Sequence, residues 1–226
     1  MHVGLIGKGY WGEILLSKLE KISNVKFICR REDNYKTKLD LVDWVFIATP
    51  NDTHYEIVKY CIKKGKNIFC EKPLTPTYDQ SKELFKLAEK YNVKLYVNDV
   101  FNYRDETKKL KLNSNNKIKV KWNKKSNNIL FDLAYHDLYL LYPILKQKIQ
   151  IKQNKKFLTI NNIIFKYGLL DDRLHLINNI DFTHSNNNND ALLEMLLCVL
   201  NDKVDYEFNK NITLNTNKII DLINKK

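Results

Sequence analysis

Three groups of residues in this chain have types and spacings that could do chemistry. Gly7-Lys8-Gly9-Tyr10-Trp11-Gly12 is a G-x-G-x-x-G run that follows an apolar strand and opens a helical pattern. Gly7 permits a tight turn, Gly9 lets backbone approach a pyrophosphate, and Gly12 allows helix and strand to pack closely. The helix N-terminus then presents N–H groups to the anion. Asp132 and His136 stand at i and i+4. That spacing puts both on one helix face, where a carboxylate can orient an imidazole for proton transfer. Lys72 precedes Pro73 at the end of an apolar run. The proline constrains that bond, cis included among its forms, and fixes the ammonium where open α/β sheets bind ligands.

In dinucleotide sites that take NAD, an acidic residue about 20 residues beyond the glycines holds the ribose 2′-hydroxyl. Arg30-Arg31 occupy that place here. Guanidinium groups pair with a 2′-phosphate, so NADP(H) is expected over NAD(H), provided the strand ends before Glu32 and Asp33 come into play. A solvated charge run is the alternative.

These residues need elements to carry them. Val3–Ile6, Val25–Cys29, Trp44–Ala48, Asn67–Cys70 and Leu95–Phe101 read as short strands, separated by helical patterns at Trp11–Leu19, Asp52–Lys64 and Tyr78–Tyr91. Such alternation is the signature of a parallel sheet covered by helices. A doubly wound Rossmann domain over residues 1–104 follows. Beyond it the pattern turns strand-like, with Ile118, Val120 and Trp122 on one face. One helix is expected over Ile129–Lys146 and β runs at Ile149–Gln153, Phe157–Tyr167 and Arg173–Phe182. Ser185–Asn189 reads as a polar loop, Asp190 caps a helix through Leu200, and Leu214–Ile223 reads as a last short helix. Residues 105–226 are thus expected to form a reduced α+β domain with an open, mainly antiparallel sheet, its C-terminal helix packing back on the first.

Ala48-Thr49-Pro50-Asn51-Asp52-Thr53-His54 followed by Glu71-Lys72-Pro73-Leu74, with Asp132-Leu133-Ala134-Tyr135-His136-Asp137 later, resembles the Gfo/Idh/MocA family of sugar and cyclitol oxidoreductases. The stretch Val97–Tyr103 is further similar to members acting on nucleotide-linked sugars. The resemblance implies hydride transfer between a nicotinamide and a sugar carbon, with Lys72 and His136 handling the hydroxyl proton and Asp132 orienting His136. It implies that Thr49, Pro50, Asn51, His54 and Glu71 line the cofactor, and that Tyr10 and Trp11 cover its phosphates and nicotinamide end. Substrate contacts fall to Lys72, Asp99, Tyr135, His136 and Asp137. Tyr135 could equally be core packing, and Asp137 a hydrogen-bond partner within the helix region. A homodimer through the second sheet and surface polysaccharide biosynthesis belong to the same expectation. Non-sugar substrates (a carbonyl, an imine, a tetrapyrrole) and a ligand sensor without turnover are the rival functions.

Composition narrows the rest. The 226 residues carry a formal charge of +12, but the lysines are scattered and joined by many asparagines. Compositional bias explains this better than a nucleic-acid-binding face, and the surplus charge suits a small anionic substrate. Cys29, Cys61, Cys70 and Cys198 are isolated, without metal-ligand or disulfide spacing. The first strand begins beside Met1 and the longest apolar run, Ala191–Leu200, is interrupted by Glu194, so neither export nor membrane insertion is expected and a cytoplasmic location follows. His175 and His184 read as packing or surface residues.

Overall fold

A computed structural model describes residues 1–113, 117–123, 134–145, 149–153, 157–168, 174–184 and 190–225. In chain order the elements are β1 (His2–Ile6), α1 (Tyr10–Ile22), β2 (Asn24–Cys29), β3 (Trp44–Ile47), α2 (His54–Lys63), β4 (Asn67–Cys70), α3 (Tyr78–Lys90), β5 (Leu95–Val97), α4 (Asp105–Lys108), β6 (Ile118–Asn123), α5 (Tyr135–Leu140) and α6 (Tyr142–Leu145). They continue as β7 (Ile151–Gln153), β8 (Leu158–Ile160), β9 (Ile163–Gly168), β10 (Leu174–Ile177), β11 (Ile180–Asp181), α7 (Ala191–Leu200) and α8 (Tyr206–Asn224). Two compact units result: Met1–Asn98 with Leu192–Asn217, and Asp99–Ala191 with Lys218–Lys226. The division thus falls at Asn98/Asp99 in place of the expected residue 104.

In the first unit the sheet order is β2-β1-β3-β4-β5, all parallel. β3 is buried at every position, as befits a central strand covered on both faces. Between β2 and β3 the chain makes only a 3-10 turn, Tyr35–Leu41, anchored by buried Leu39. β2 therefore stands at the sheet edge. α2 ends where Gly65 takes φ of +70°, and Thr77 caps α3 by accepting from the Gln80 N–H.

The last helix is longer than the apolar period predicted, beginning at Tyr206 and not near Leu214. Its extra turns carry Asn209 and Asn211, and asparagine is a poor helix former, yet Asn209, like Asn217 further along the helix, is buried and bonded within the unit. Asn209 accepts from the Val97 N–H and donates to the Val97 carbonyl, both at 2.9 Å, completing β5 as a neighbouring strand would. Asn217 donates to the Ser81 hydroxyl at 2.7 Å. Tertiary pairing overrides propensity here.

The second sheet has the order β11-β10-β6-β9-β8-β7. Only the β6–β9 pair is parallel. Two expected single runs are hairpins. Phe157–Tyr167 turns at Asn161, with φ of 52°, and Arg173–Phe182 turns at Asn178 and Asn179, with φ of 47° and 67°. Asparagine tolerates this left-handed backbone, and its side chain then bonds to adjacent backbone. Asn178 Oδ1 accepts from the Lys119 N–H, and Asn161 Oδ1 from that of Gln150, at 2.9 and 2.8 Å. The expected Ile129–Lys146 helix is seen as α5 and α6, separated at Leu141. Its residues 129–133 and 146, with Arg173 and the loop Ser185–Asn189, lie outside the described residues.

Replacing Asn209 by Ala leaves a buried N–H and a buried carbonyl of Val97 unsatisfied, and should destabilise the protein by about 2–4 kcal/mol. Asn211→Ala, half-buried on the same helix and bonded to the exposed Glu207, should change stability by less than about 0.5 kcal/mol. Urea titration of both variants measures the difference, and equal midpoints would refute the capping role.

Candidate active site

The carboxyl ends of β1, β3 and β4 carry the candidate residues of the first unit. Beyond Ile6, the Gly7 N–H bonds to the Cys29 carbonyl at 2.8 Å while the Ala48 N–H bonds to the Ile6 carbonyl at 2.8 Å, which draws the three strand ends together. Gly7 adopts φ of +101°, and a side chain there would strike the Ala48 backbone. A Cβ on Gly12 would fall on the Gly7 carbonyl. Gly9 differs: it is the N-cap of α1, makes no side-chain cap, and a Cβ on it would meet nothing within 4 Å. The start of α1 is therefore open to a ligand that approaches backbone closely. Tyr10 and Trp11, 76% and 53% exposed, pack edge-to-face at 5.4 Å beside it.

A cleft of about 600 Å³ opens from this loop, lined among others by Gly7, Gly9, Arg30, Arg31, Thr49 and Pro50. β2 ends at Cys29, so Arg30 is the first residue beyond the strand. Asp33 folds back on this turn, its carboxylate accepting from the Arg30 N–H at 2.7 Å and its own N–H donating to the Arg30 carbonyl at 3.2 Å. Arg30, Arg31 and Glu32 are exposed. Across the cleft the Thr53 hydroxyl lies 2.7 Å from that of Thr49. Asn51 is exposed in a 3-10 turn.

At the end of β4 stand Glu71, half-buried Lys72 and Pro73, whose bond to Lys72 is cis. Two expected cofactor-lining residues have other work. His54 is fully buried, its Nδ1 lying 2.8 Å from the Pro73 carbonyl and its Nε2 2.9 Å from that of Thr49. It ties the wall of the cleft to the segment that bears Lys72. Glu71 is 7% exposed, and its carboxylate accepts from Asn98 Nδ2 at 2.7 Å and from the Lys72 N–H at 3.3 Å. Burial pushes its pKa up, against the pull of Asn98 and Lys72. Both side chains thus brace the loops that border the cleft. Asn98 was passed over as part of a run of similar residues, although its place directly after β5 puts it level with Glu71.

In the second unit, α5 carries Tyr135, His136 and Asp137; Asp132 lies outside the described residues. His136 is half-buried and its ring stacks on Phe101, centroids 4.2 Å apart and planes 9° from parallel. Tyr135 is fully buried against Tyr139, in keeping with core packing. Asp137 is fully buried too: one oxygen accepts from Trp122 Nε1 and the other meets His175 Nε2, both at 2.6 Å. Both oxygens are thus engaged within the unit, in keeping with the hydrogen-bond-partner alternative for this residue. Asp99, 4% exposed, accepts from Asn102 Nδ2. His175 shows no local spacing signal because its partner is 38 residues away. Among the described residues no cluster of His, Cys, Asp and Glu could hold a metal, and the four cysteines are free thiols. Among the described residues no helix is long and apolar enough to cross a membrane.

The strand order and the glycine loop define a Rossmann-type domain with a cleft at the carboxyl ends of its strands, and comparison with known proteins agrees. Residues 17–99 match the family described as "Oxidoreductase family, NAD-binding Rossmann fold". Over these residues the chain is similar to the nucleotide-binding domain of the Gfo/Idh/MocA family. An uncharacterized oxidoreductase of Schizosaccharomyces pombe is 46% identical over 56 residues, 25% of this chain and 15% of that protein. A scyllo-inositol 2-dehydrogenase (NADP(+)) of Bacillus subtilis is 28% identical over 116 residues, 43% of this chain and 32% of that protein. The chain thus spans a third or less of the length of these relatives. In fold it is similar to the WlbA dehydrogenase of Thermus thermophilus, solved in complex with NAD and UDP-GlcNAcA, with a TM-score of 0.75, 14% identity, and coverage of 97% of this chain and 94% of that one.

Burial lowers the His54 pKa, opposed by its two carbonyl contacts. The unfolded chain, near the ordinary 6.5, takes up its proton first, so stability due to this residue is lost as pH falls through that value. His54→Asn should lower stability at pH 7.5 by about 1–3 kcal/mol and lessen the fall in melting temperature between pH 7.5 and 5.5. Parallel melting curves of the two proteins against pH would rule this out.

Proposed function

We propose that this chain is an NADP(H)-preferring oxidoreductase that moves a hydride between the nicotinamide and a carbinol carbon of a sugar, specifically a nucleotide-linked sugar. The observation that carries the proposal is the open helix start at Gly9, where a Cβ would project into space beside a cleft walled by Arg30, Arg31, Thr49 and Pro50. Those residues fit a dinucleotide: backbone N–H groups of the first turn of α1 hold the pyrophosphate, and the wall receives the ribose. Support for the 2′-phosphate comes from the end of β2 at Cys29 and from Asp33 turning its carboxylate to the Arg30 amide.

When bound, the nicotinamide supplies the hydride donor or acceptor. The chain supplies proton handling. Lys72 holds the substrate hydroxyl, an ammonium on a segment fixed by His54; His136 takes the proton in oxidation and returns it in reduction, with Asp132 orienting its ring. Tyr10 and Trp11 cover the cofactor at the glycine loop. The net charge of +12 favours a substrate bearing a diphosphate. The inositol dehydrogenase and the Thermus dehydrogenase support the carbinol and nucleotide-sugar parts of the reading respectively. A cytoplasmic homodimer working in surface polysaccharide synthesis completes the proposal.

Gly9→Val should fold with unchanged melting temperature but weaken NADPH binding at least about tenfold, or 1.4 kcal/mol. The Arg30→Ala/Arg31→Ala double variant should lose the preference for NADPH over NADH; titration calorimetry reads both, and a wild-type preference for NADH would contradict the cofactor choice. Lys72→Ala should cut kcat by about 10²–10⁴-fold while sparing dinucleotide affinity. A spectrophotometric assay at the nicotinamide band with UDP-linked sugars tests this, and unchanged turnover would remove Lys72 from the mechanism.

A further inference from the structure

The second unit contains a buried Asp–His pair that the reading above leaves without a task. Trp122 on β6 and His175 on β10 are direct cross-strand partners. Their rings stack with centroids 3.7 Å apart and planes 18° from parallel. Asp137 spans this pair from α5, taking the Trp122 Nε1–H on one oxygen and His175 Nε2 on the other, each at 2.6 Å. All three side chains are essentially excluded from solvent. A carboxylate held at two points on a sheet cannot let its helix rotate about its own axis.

His136 is the next residue back on that helix. Its ring lies flat on Phe101. Phe101 in turn lies parallel to Phe182, at 6.1 Å and 10°, and has the Arg104 guanidinium 4.9 Å from its centroid. Arg104 is itself held by Glu106 and by the Phe182 carbonyl. His175 closes the circle, with its ring 5.7 Å from Phe101 and 5.3 Å from Phe182. The same imidazole therefore fixes α5 through Asp137 and touches the plate on which His136 rests.

We propose that Asp137 and His175 are positioning residues for His136: the pair sets the rotation of α5 while the Trp122–His175–Phe182–Phe101 layer sets the plane of the His136 ring. This rests on the reading of His136 as the group that handles the substrate proton. Proton transfer needs donor and acceptor within about 2.6–3.2 Å, and displacement by about 1 Å at such a centre costs about 10²-fold in rate. Fixing one ring by a hydrogen-bonded rotation lock and an aromatic stack is a physical means of holding that tolerance.

The test is NMR of the full-length, isotope-labelled protein, with the His136 ring signals assigned by their loss in His136→Gln. In the wild type, stacking on Phe101 shifts those ring protons upfield. Asp137→Ala and His175→Gln should lose that displacement, and kcat should fall by about 10²-fold with dinucleotide affinity unchanged. Asp137→Asn, which can still accept from Trp122 and donate to an unprotonated His175 nitrogen, should restore the His136 signals. If Asp137→Ala does not fold, His175→Gln carries the comparison. Wild-type His136 ring shifts in either folded variant would overturn the proposal. Full turnover in His136→Gln would instead refute the role of His136, leaving the geometric result to stand by itself.

Discussion

The first unit depends on one imidazole buried between two loops. His54 reaches the carbonyl of Thr49 beyond β3 and that of Pro73 beyond β4, so the wall of the cleft and the segment bearing Lys72 share a single support. Both carbonyls lie outside the strands and helices, and a buried carbonyl without a donor is costly. A neutral imidazole has one N–H, so one carbonyl accepts while the other faces the unprotonated nitrogen, unless the ring is charged, which burial opposes. The segment that bears Lys72 is thus held by a fully buried residue.

The same economy recurs around it. Glu71 and Asn98 brace the ends of β4 and β5, Asn209 completes the edge of β5, and Asp137 joins β6 to β10 through Trp122 and His175. In each case a buried polar side chain is satisfied by another polar group, as burial requires. The residues that remain open in the first unit are of another kind: glycine backbone at Gly9, exposed Tyr10 and Trp11, and exposed Arg30 and Arg31. Chemistry is presented by backbone and charge on a scaffold whose polar residues are spent on holding it.

The alternation of β1 through β5 with their helices was legible because a parallel strand covered on both faces is uniformly apolar and a covering helix is periodic. The glycine loop was legible because Gly7 and Gly12 each have a steric cause within the fold, while Gly9 leaves the helix start open. Three things were not. The turns at Asn161 and at Asn178-Asn179 were hidden by an asparagine-rich composition, although Asn-Asn between β runs is itself a turn signal. The first two turns of α8 were hidden because Asn209 is helical for the sake of Val97, a partner 112 residues away. The Asp137–His175 pair, 38 residues apart, depends on the strand register of β6 and β10, which no local spacing encodes.

The central claim is that the first unit is built to hold a nicotinamide dinucleotide. Native mass spectrometry of the gently purified chain, repeated after adding NADPH, tests it most directly. One dinucleotide per chain, retained or taken up in preference to NADH, is the expected result. A spectrum with no dinucleotide adduct at saturating NADPH or NADH would contradict the account.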